Sequence, residues 1–361
     1  MGSTADRHAW ESGTEDLGNG LYRIPLPLPS DALHAVNVYA IVSPEGVDLI
    51  DSGMAIVQAR ERLTAALAGL GLALGDIRNF FITHVHQDHY TLAVELRTTL
   101  KGKIALGEGE RVNLEAIRAT HEKRTDPGFI QMLPALGAGH IADQIRAAFV
   151  AEFDAPESLR MWADPDQWLA DGTVLDLGPR TLRAIHTPGH TRGHVVFYDS
   201  GNDLMFAGDH VLPHITPSIG FQPAITRTGL RDYLASLQLM LTLPDSRLLP
   251  AHGPVSESTH RRVKELLDHH EDRLAQTLEA ASGGPVTAFA AAGAIPWTRR
   301  QRKLADLDLM SQLLAVGETA AHLEVLVARG QLVKQTSEDG LELYSASPGG
   351  LRPPSTPQTL H

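Results

Sequence analysis

A chain of 361 residues is longer than the roughly 250–300 at which single hydrophobic cores stop growing, so one large domain with an appendage, or two ordinary domains, is expected. With 43% hydrophobic and 20% charged residues, wholesale disorder and a fibrous repeat are excluded, and a formal net charge of −12 argues against general affinity for nucleic-acid phosphates or anionic membranes. There is no cysteine, so disulfides, thiolate metal sites and a Cys nucleophile are ruled out and any metal chemistry rests on imidazole and carboxylate. Residues 1–20 are polar and acidic with no apolar signal-peptide core, and no run of about 18 apolar residues occurs, so a cytoplasmic protein without a membrane span is expected.

In chain order, residues 1–17 read as a flexible N-terminus. Short apolar runs at 21–28, 36–42 and 47–50, separated by turn residues, form a β-meander. Residues 56–72 carry apolar side chains at helical spacing, and the buried strand 79–83 delivers the chain to His84. A helix at 90–100 and a strand at 103–106 follow. The stretch 107–171 is mostly helical in pattern and reads as an insertion lying over a site. A second β-rich half has strands at 173–177, 182–186, 195–198 and 204–206, which suggests two packed sheets with helices outside. Beyond residue 255 the pattern turns helical, at 256–281, 298–304, 306–315 and 318–329. A hairpin at 332–335 and 341–344 then completes a winged-helix-like unit over 256–345. Residues 346–361 read as a disordered tail.

His84-Val85-His86-Gln87-Asp88-His89 places four metal-binding side chains within six residues at the end of a strand. In an extended segment His84 and His86 point the same way, and as the chain turns into a helix Asp88 and His89 swing to an adjacent position, so two neighbouring metals could share the loop. Imidazole and carboxylate suit Zn, Mn or Fe and leave coordination positions open for water. His190, in Thr187-Pro188-Gly189-His190-Thr191, Asp209, in Gly208-Asp209-His210, and His252, in Ala251-His252-Gly253, each follow a predicted strand.

This pattern resembles the metallo-β-lactamase superfamily, whose hallmark is His-x-His-x-Asp-His followed by a distant His, Asp and His, over residues from about 18 to 265. The resemblance implies an α/β fold, a four-layer αββα sandwich over 18–255. It also implies a first metal on His84, His86 and His190, a second on Asp88, His89 and His252, and Asp209 bridging the two. Asp51, in Asp51-Ser52-Gly53, matches a carboxylate that buttresses the metal loop. Two divalent ions, Zn before Mn or Fe, would lower the pKa of a shared water to give a bridging hydroxide and would polarise the substrate oxygen, with Asp88 and Asp209 handling the proton.

Single side chains near the motifs carry weaker signals. His194 reads as structural or as a support to the ligands, and His210 and His214 as polar residues that could line a pocket. Tyr90 could donate to a substrate oxygen, although packing at the helix start is its default role. Arg299-Arg300-Gln301-Arg302-Lys303 reads as a solvated helix face rather than a nucleic-acid contact.

The implied activity is hydrolysis of a small ester-like bond, a thioester of acyl-CoA type ahead of a lactone, with the insertion roofing an acyl pocket. The glyoxalase II subgroup shares the Thr-Pro-Gly-His-Thr segment, but no clear basic pocket for glutathione is visible. The alternatives are a ribonuclease of the same fold, a catalytically weak binding or regulatory module, and a one-iron oxygenase, against which the intact Asp88, His89 and His252 argue. A small-molecule substrate is the expected partner, with no membrane or nucleic acid, and a homodimer through the C-terminal unit is left open.

Overall fold

A computed structural model describes residues 13–29, 33–149, 158–224, 226–298 and 300–348. The first sheet has seven strands in sequential order: β1 (Glu15–Gly18), β2 (Leu21–Pro27), β3 (Ala35–Ser43), β4 (Gly46–Ile50), β5 (Ile77–Ile82), β6 (Lys103–Gly107) and β7 (Gln167–Leu169). β1 to β4 pair antiparallel and β4 to β7 parallel. The second sheet runs β12-β11-β10-β9-β8, with β8 (Val174–Asp176), β9 (Thr181–His186), β10 (Val195–Asp199), β11 (Leu204–Gly208) and β12 (Arg247–Pro250).

The sheets pack face to face through Leu21, Ile41, Ile50, Ala184 and Leu249, with Tyr39 edge-on to Phe206 at 5.4 Å and Phe81 edge-on to Phe197 at 6.1 Å. Such aromatic pairs contribute about 0.5–1.5 kcal/mol each beyond their burial. Helices α1 (Val57–Gly69) and α2 (Gln87–Arg97) cover the outer face of the first sheet, α1 through Leu63 and Leu67. Helix α6 (Gly229–Met240) covers the second through Leu230, Tyr233 and Leu237. The result is the expected αββα sandwich.

Between β6 and β7 lie α3 (Arg111–Lys123), α4 (Gly128–Gln131) and α5 (Gly139–Phe149); residues 150–157 of this insertion fall outside the described part. After β12 come α7 (Thr259–Ala280), α8 (Ala288–Ala294) and α9 (Leu309–Ala328), then the hairpin β13 (Leu332–Thr336) and β14 (Glu342–Ala346). α7 and α9 start where side chains satisfy free N–H groups: Ser258 accepts from the Arg261 N–H and Asp308 from the Ser311 N–H.

The structure corrects the sequence reading at several points. Glu15–Gly18 is a strand paired to β2, so order begins inside the stretch expected to be flexible. The helix after the metal-binding motif starts at Gln87 rather than at Tyr90, and β7 extends the first sheet from within the insertion. Residues 298 and 300–303 do not form the expected helix: Thr298 and Gln301 have φ of 62° and 55°, and Trp297 and Arg302 exchange backbone hydrogen bonds across a turn. The helices expected at 306–315 and 318–329 are one helix, α9, because Gly317 sits in its interior without breaking it. Helix α8 has no counterpart among the expected elements; Ala-rich and short, it offers no amphipathic period to read. The tail beyond residue 348, the first 12 residues and Arg299 lie outside the described residues.

The ends of the sandwich domain are stitched together. Asn37 Nδ2 donates to the carbonyls of Pro250 and Gly253, Tyr39 Oη donates to Pro250 O at 2.8 Å, and the Asn37 N–H donates to Ala251 O at 2.7 Å. Early strand β3 is thereby fastened to the loop after β12.

Candidate metal centre

The carboxyl ends of β4, β5, β9, β11 and β12 deliver Asp51, the His84–His89 loop, His190, Asp209 and His252 to one edge, where the loops of such sheets carry chemistry. Because α2 begins at Gln87, Asp88 and His89 lie in its first turn, and although the rings of His84 and His89 lie 4.0 Å apart, the donor atoms of Asp88 and His89 fall with His252 rather than with His84 and His86. Two groups result: His84, His86, His190 and Asp209, and Asp88, His89 and His252; within each the donor atoms lie within 4.8 Å of one another.

In the first group His84 Nε2, His86 Nδ1 and His190 Nε2 form a triangle with edges of 2.9, 3.0 and 3.2 Å, and Asp209 Oδ2 stands 3.5 Å from His190 Nε2. In the second, Asp88 Oδ2 is 3.3 Å from His252 Nε2 and 3.6 Å from His89 Nε2. Asp209 turns its other oxygen there, Oδ1 lying 3.4 Å from His252 Nε2 and 3.7 Å from His89 Nε2.

The proton positions follow from the partners. Thr83 Oγ1 lies 3.0 Å from both oxygens of Asp51, which only accept, so the hydroxyl donates there and accepts from Nδ1–H of His84 at 3.0 Å. Nδ1–H of His89 donates to Asp51 Oδ2 at 2.9 Å, that of His190 to Ser218 O at 2.9 Å and that of His252 to Ala35 O at 2.8 Å. Each Nε2 is left to point into the centre, the arrangement by which supporting groups orient metal-binding imidazoles. Asp51 reaches this position with φ of 61°, a left-handed conformation that Asp tolerates better than most residues.

Burial, helped by neighbouring imidazoles, holds His84 well below the usual range. Burial pushes His86 down to about 3 and His190 to about 4, which keeps their lone pairs free of protons. The second group differs. Burial opposes charge on His89, but Asp88, Asp51 and Asp209 outweigh it and raise His89 to about 10; His252 is raised against burial by Asp209 and Asp88. Asp88 is held below the usual carboxylate range, burial opposing and His89 and His252 prevailing.

These residues fit a pair of cations. His89 Nε2, His252 Nε2 and Asp209 Oδ1 are buried without an aligned hydrogen-bond partner among the described residues, although buried polar atoms nearly always have one. Their nitrogen and carboxylate donors suit Zn, Mn or Fe, and metal–nitrogen bonds of about 2.0–2.1 Å would set tetrahedral edges near 3.3 Å, close to the imidazole triangle.

Of the other residues singled out in the sequence, His194 is fully buried, stacks on His84 at 5.1 Å, and accepts the Asp209 N–H at its Nε2. His210 is buried beneath the centre, its ring edge-on to Tyr233 at 5.2 Å, and does not line the cavity over the metal centre. His214 lines a different cavity, with Arg262, His269 and Trp297 at the junction with the C-terminal helices. Tyr90 does not face a substrate either: its hydroxyl donates to Ala163 O at 2.6 Å and its ring is buried.

One residue not read from the sequence ties the centre together. Glu110 is fully buried and accepts from the Thr191 hydroxyl, from Asn113 Nδ2 at 2.6 Å, and from the backbone N–H groups of Val85 and Gly193. It therefore spans the loops bearing His84, His86 and His190. The contact needs Gly193, where an added Cβ would stand 2.0 Å from the Glu110 nitrogen. Burial pushes the Glu110 carboxyl up to about 7 despite those four donors. Its only sequence signal is an acidic residue just past a parallel strand, in Gly107-Glu108-Gly109-Glu110.

Above the centre opens a cavity of about 620 Å³. His86, Asp88, His190 and Asp209 form its floor, and Ile117, Phe129 and Trp162 of the insertion line its walls with Leu28, Phe221 and Met310.

A family model described as "Metallo-beta-lactamase superfamily" matches residues 32–252, and one described as "Metallo-beta-lactamase-like, C-terminal domain" matches residues 274–347. A probable metallo-hydrolase of Bacillus subtilis, YqjP, is 25% identical over 314 residues, 85% of this chain and 91% of that protein. An atrochrysone carboxyl ACP thioesterase of Aspergillus fumigatus is 32% identical over 118 residues, which span 32% of this chain and only 35% of that one. The crystal structure of a metallo-beta-lactamase family protein from Thermus thermophilus superposes with a TM-score of 0.70 at 26% identity, covering 92% of this chain and all of that one. Fold, ligand order and a family match over more than half the sequence agree: the chain belongs to the metallo-beta-lactamase superfamily.

Proposed function

We propose that this protein is a dinuclear metal-dependent hydrolase of a small ester-like bond, with a thioester ahead of a lactone. The observation that carries the reading is Asp209, whose two carboxylate oxygens face two separate ligand groups at the floor of a largely apolar cavity. His84, His86 and His190 would hold one divalent cation, Asp88, His89 and His252 the other, and Asp209 would reach both. Two such ions supply an activated water near neutral pH and Lewis-acid polarisation of the scissile carbonyl.

The chain's own residues do the rest. Asp51, Ser218 and Ala35 fix the imidazoles, and the apolar walls exclude bulk water from the acyl carbon. Asp88 lines the cavity and stands beside Asp209, placed to take the proton of the attacking water and return it to the departing sulfur or oxygen. Water adds to the acyl carbon, the acyl–sulfur or acyl–oxygen bond breaks, and a carboxylic acid and a thiol or alcohol leave. The thioester preference is supported by the resemblance to a protein named as an ACP thioesterase, in a stretch that includes no more than a third of this chain.

Metal analysis of protein purified without added metal, followed by turnover of acyl thioesters, lactones and single-stranded RNA, tests the reading. About two metals per chain and thioester or lactone hydrolysis that Asp209→Asn abolishes are expected. Cleavage of RNA alone, or a single iron per chain, would overturn it.

A further inference from the structure

The first turns of α9 bring two apolar side chains of the C-terminal unit into the cavity over the metal centre. Met310 and Leu314 are four residues apart, hence on one helix face, and both line that cavity. Met310 is among the large apolar side chains left substantially exposed, at 36%. It shares that cavity with Phe129 and Phe221, ring centroids 4.4 Å apart, and with Trp162. No Lys or Arg lines the cavity among the described residues, and residues 30–32 and 150–157 contain none in the sequence. Among the described residues the carboxylates there are Asp88 and Asp209, both committed to the floor, and the one imidazole away from the floor is His121 on the insertion wall. Among the described residues a substrate carboxylate or phosphate entering this space would find no permanent cation away from the metal centre, only the His121 imidazole, and desolvating such a charge without a charged partner is costly.

Resting on the hydrolase reading above, we propose that the substrate's acyl part is uncharged and apolar, and that Met310 and Leu314 form the wall against which its far end packs, making the C-terminal unit a specificity element of the site. A thioether side chain suits such a wall, because Met adapts its rotamers to differently shaped apolar groups. Each further methylene that the wall buries should raise kcat/KM about fourfold until the cavity is full.

The test uses the full-length, metal-loaded protein and N-acetylcysteamine thioesters of acetic, butanoic, octanoic and dodecanoic acids, together with the ω-carboxy analogue of the octanoyl compound. Wild type should favour octanoyl over acetyl by at least about tenfold and disfavour the ω-carboxylate by a similar factor. Met310→Trp and Leu314→Trp should each cut the dodecanoyl-to-acetyl ratio about tenfold. In parallel, binding of the neutral fluorophore N-phenyl-1-naphthylamine should weaken about fivefold or more in both variants, with circular dichroism confirming that they are folded. An unchanged length profile with unchanged fluorophore binding, or preference for the ω-carboxylate, would overturn the proposal. If no thioester is turned over, the thioester preference fails instead, and fluorophore binding alone decides whether Met310 and Leu314 line an apolar ligand site.

Discussion

The backbone N–H of Asp209 donates to Nε2 of His194 at 3.2 Å, and Nδ1–H of the same ring donates to Thr187 Oγ1 at 2.9 Å. His194 thus holds the residue that faces both ligand groups, by its backbone, without entering either group itself. His194→Phe keeps a ring but leaves the Asp209 N–H unpaired. Its expected cost is about 1–3 kcal/mol in urea unfolding of the metal-free protein. Affinity for Zn, read by competition with a chelator, should fall about 10- to 100-fold. Wild-type affinity in this variant would show that Asp209 is held by other means.

The two ligand groups should be separable by substitution. His190→Ala and His252→Ala each remove a donor from one group only, so metal content should fall from about two to about one per chain in either, while Asp209→Ala lowers both sites. Elemental analysis after dialysis reads this directly. Equal loss of both metals in His252→Ala would mean that the groups fill as one unit.

Metal removal should loosen the fold as well as stop turnover. Ions that bind only the folded state stabilise it by about 4 kcal/mol when present at about a thousand times their dissociation constant. Chelation should therefore lower the melting temperature reversibly, and Zn should restore it. Calorimetric scans that coincide with and without metal would contradict this.

Glu110 gives a pH signature. Its carboxyl is raised to about 7 in the folded state by burial, against 4.5 for the free side chain. Between these values the folded chain keeps the proton and the unfolded chain has lost it, so this group makes stability fall as pH rises from 4.5 towards 7 and adds no further slope above that. The full span is on the order of 3 kcal/mol. Glu110→Gln should remove this component from the difference between unfolding free energies at about pH 5 and about pH 8. It should also weaken metal binding, since an amide keeps one accepting oxygen where the carboxyl offers two to four donors. A variant whose pH slope matches wild type would assign the slope to the imidazoles.

Much of the centre is legible in the sequence because its residues obey local rules. His84 and His86 alternate at a strand end, Asp88 and His89 follow one helical turn, and His190, Asp209 and His252 each close a strand. The sandwich is legible for the same reason, since β3, β5 and β10 are near-continuous apolar runs. What escapes depends on distant contacts. Glu110 acquires its role only when loop 191–193 packs within van der Waals range of it. His194 and His214 look alike in sequence, yet one supports Asp209 and the other lines a cavity beside α7. Residues 298–304 read as helix because they hold a run of good helix formers, which the left-handed Thr298 and Gln301 override.

The fastening of β3 to the loop after β12 sets an order of assembly during synthesis. The Ala35 carbonyl that orients His252, and the Asn37 and Tyr39 side chains that grip Pro250 and Gly253, must wait for partners made more than 200 residues later. A nascent chain stopping short of His252 has most of the sandwich but lacks the last imidazole and the Gly253 carbonyl of the clasp that seats it. Ribosome-bound chains of increasing length should therefore acquire their full complement of metal only after that glycine has cleared the exit tunnel.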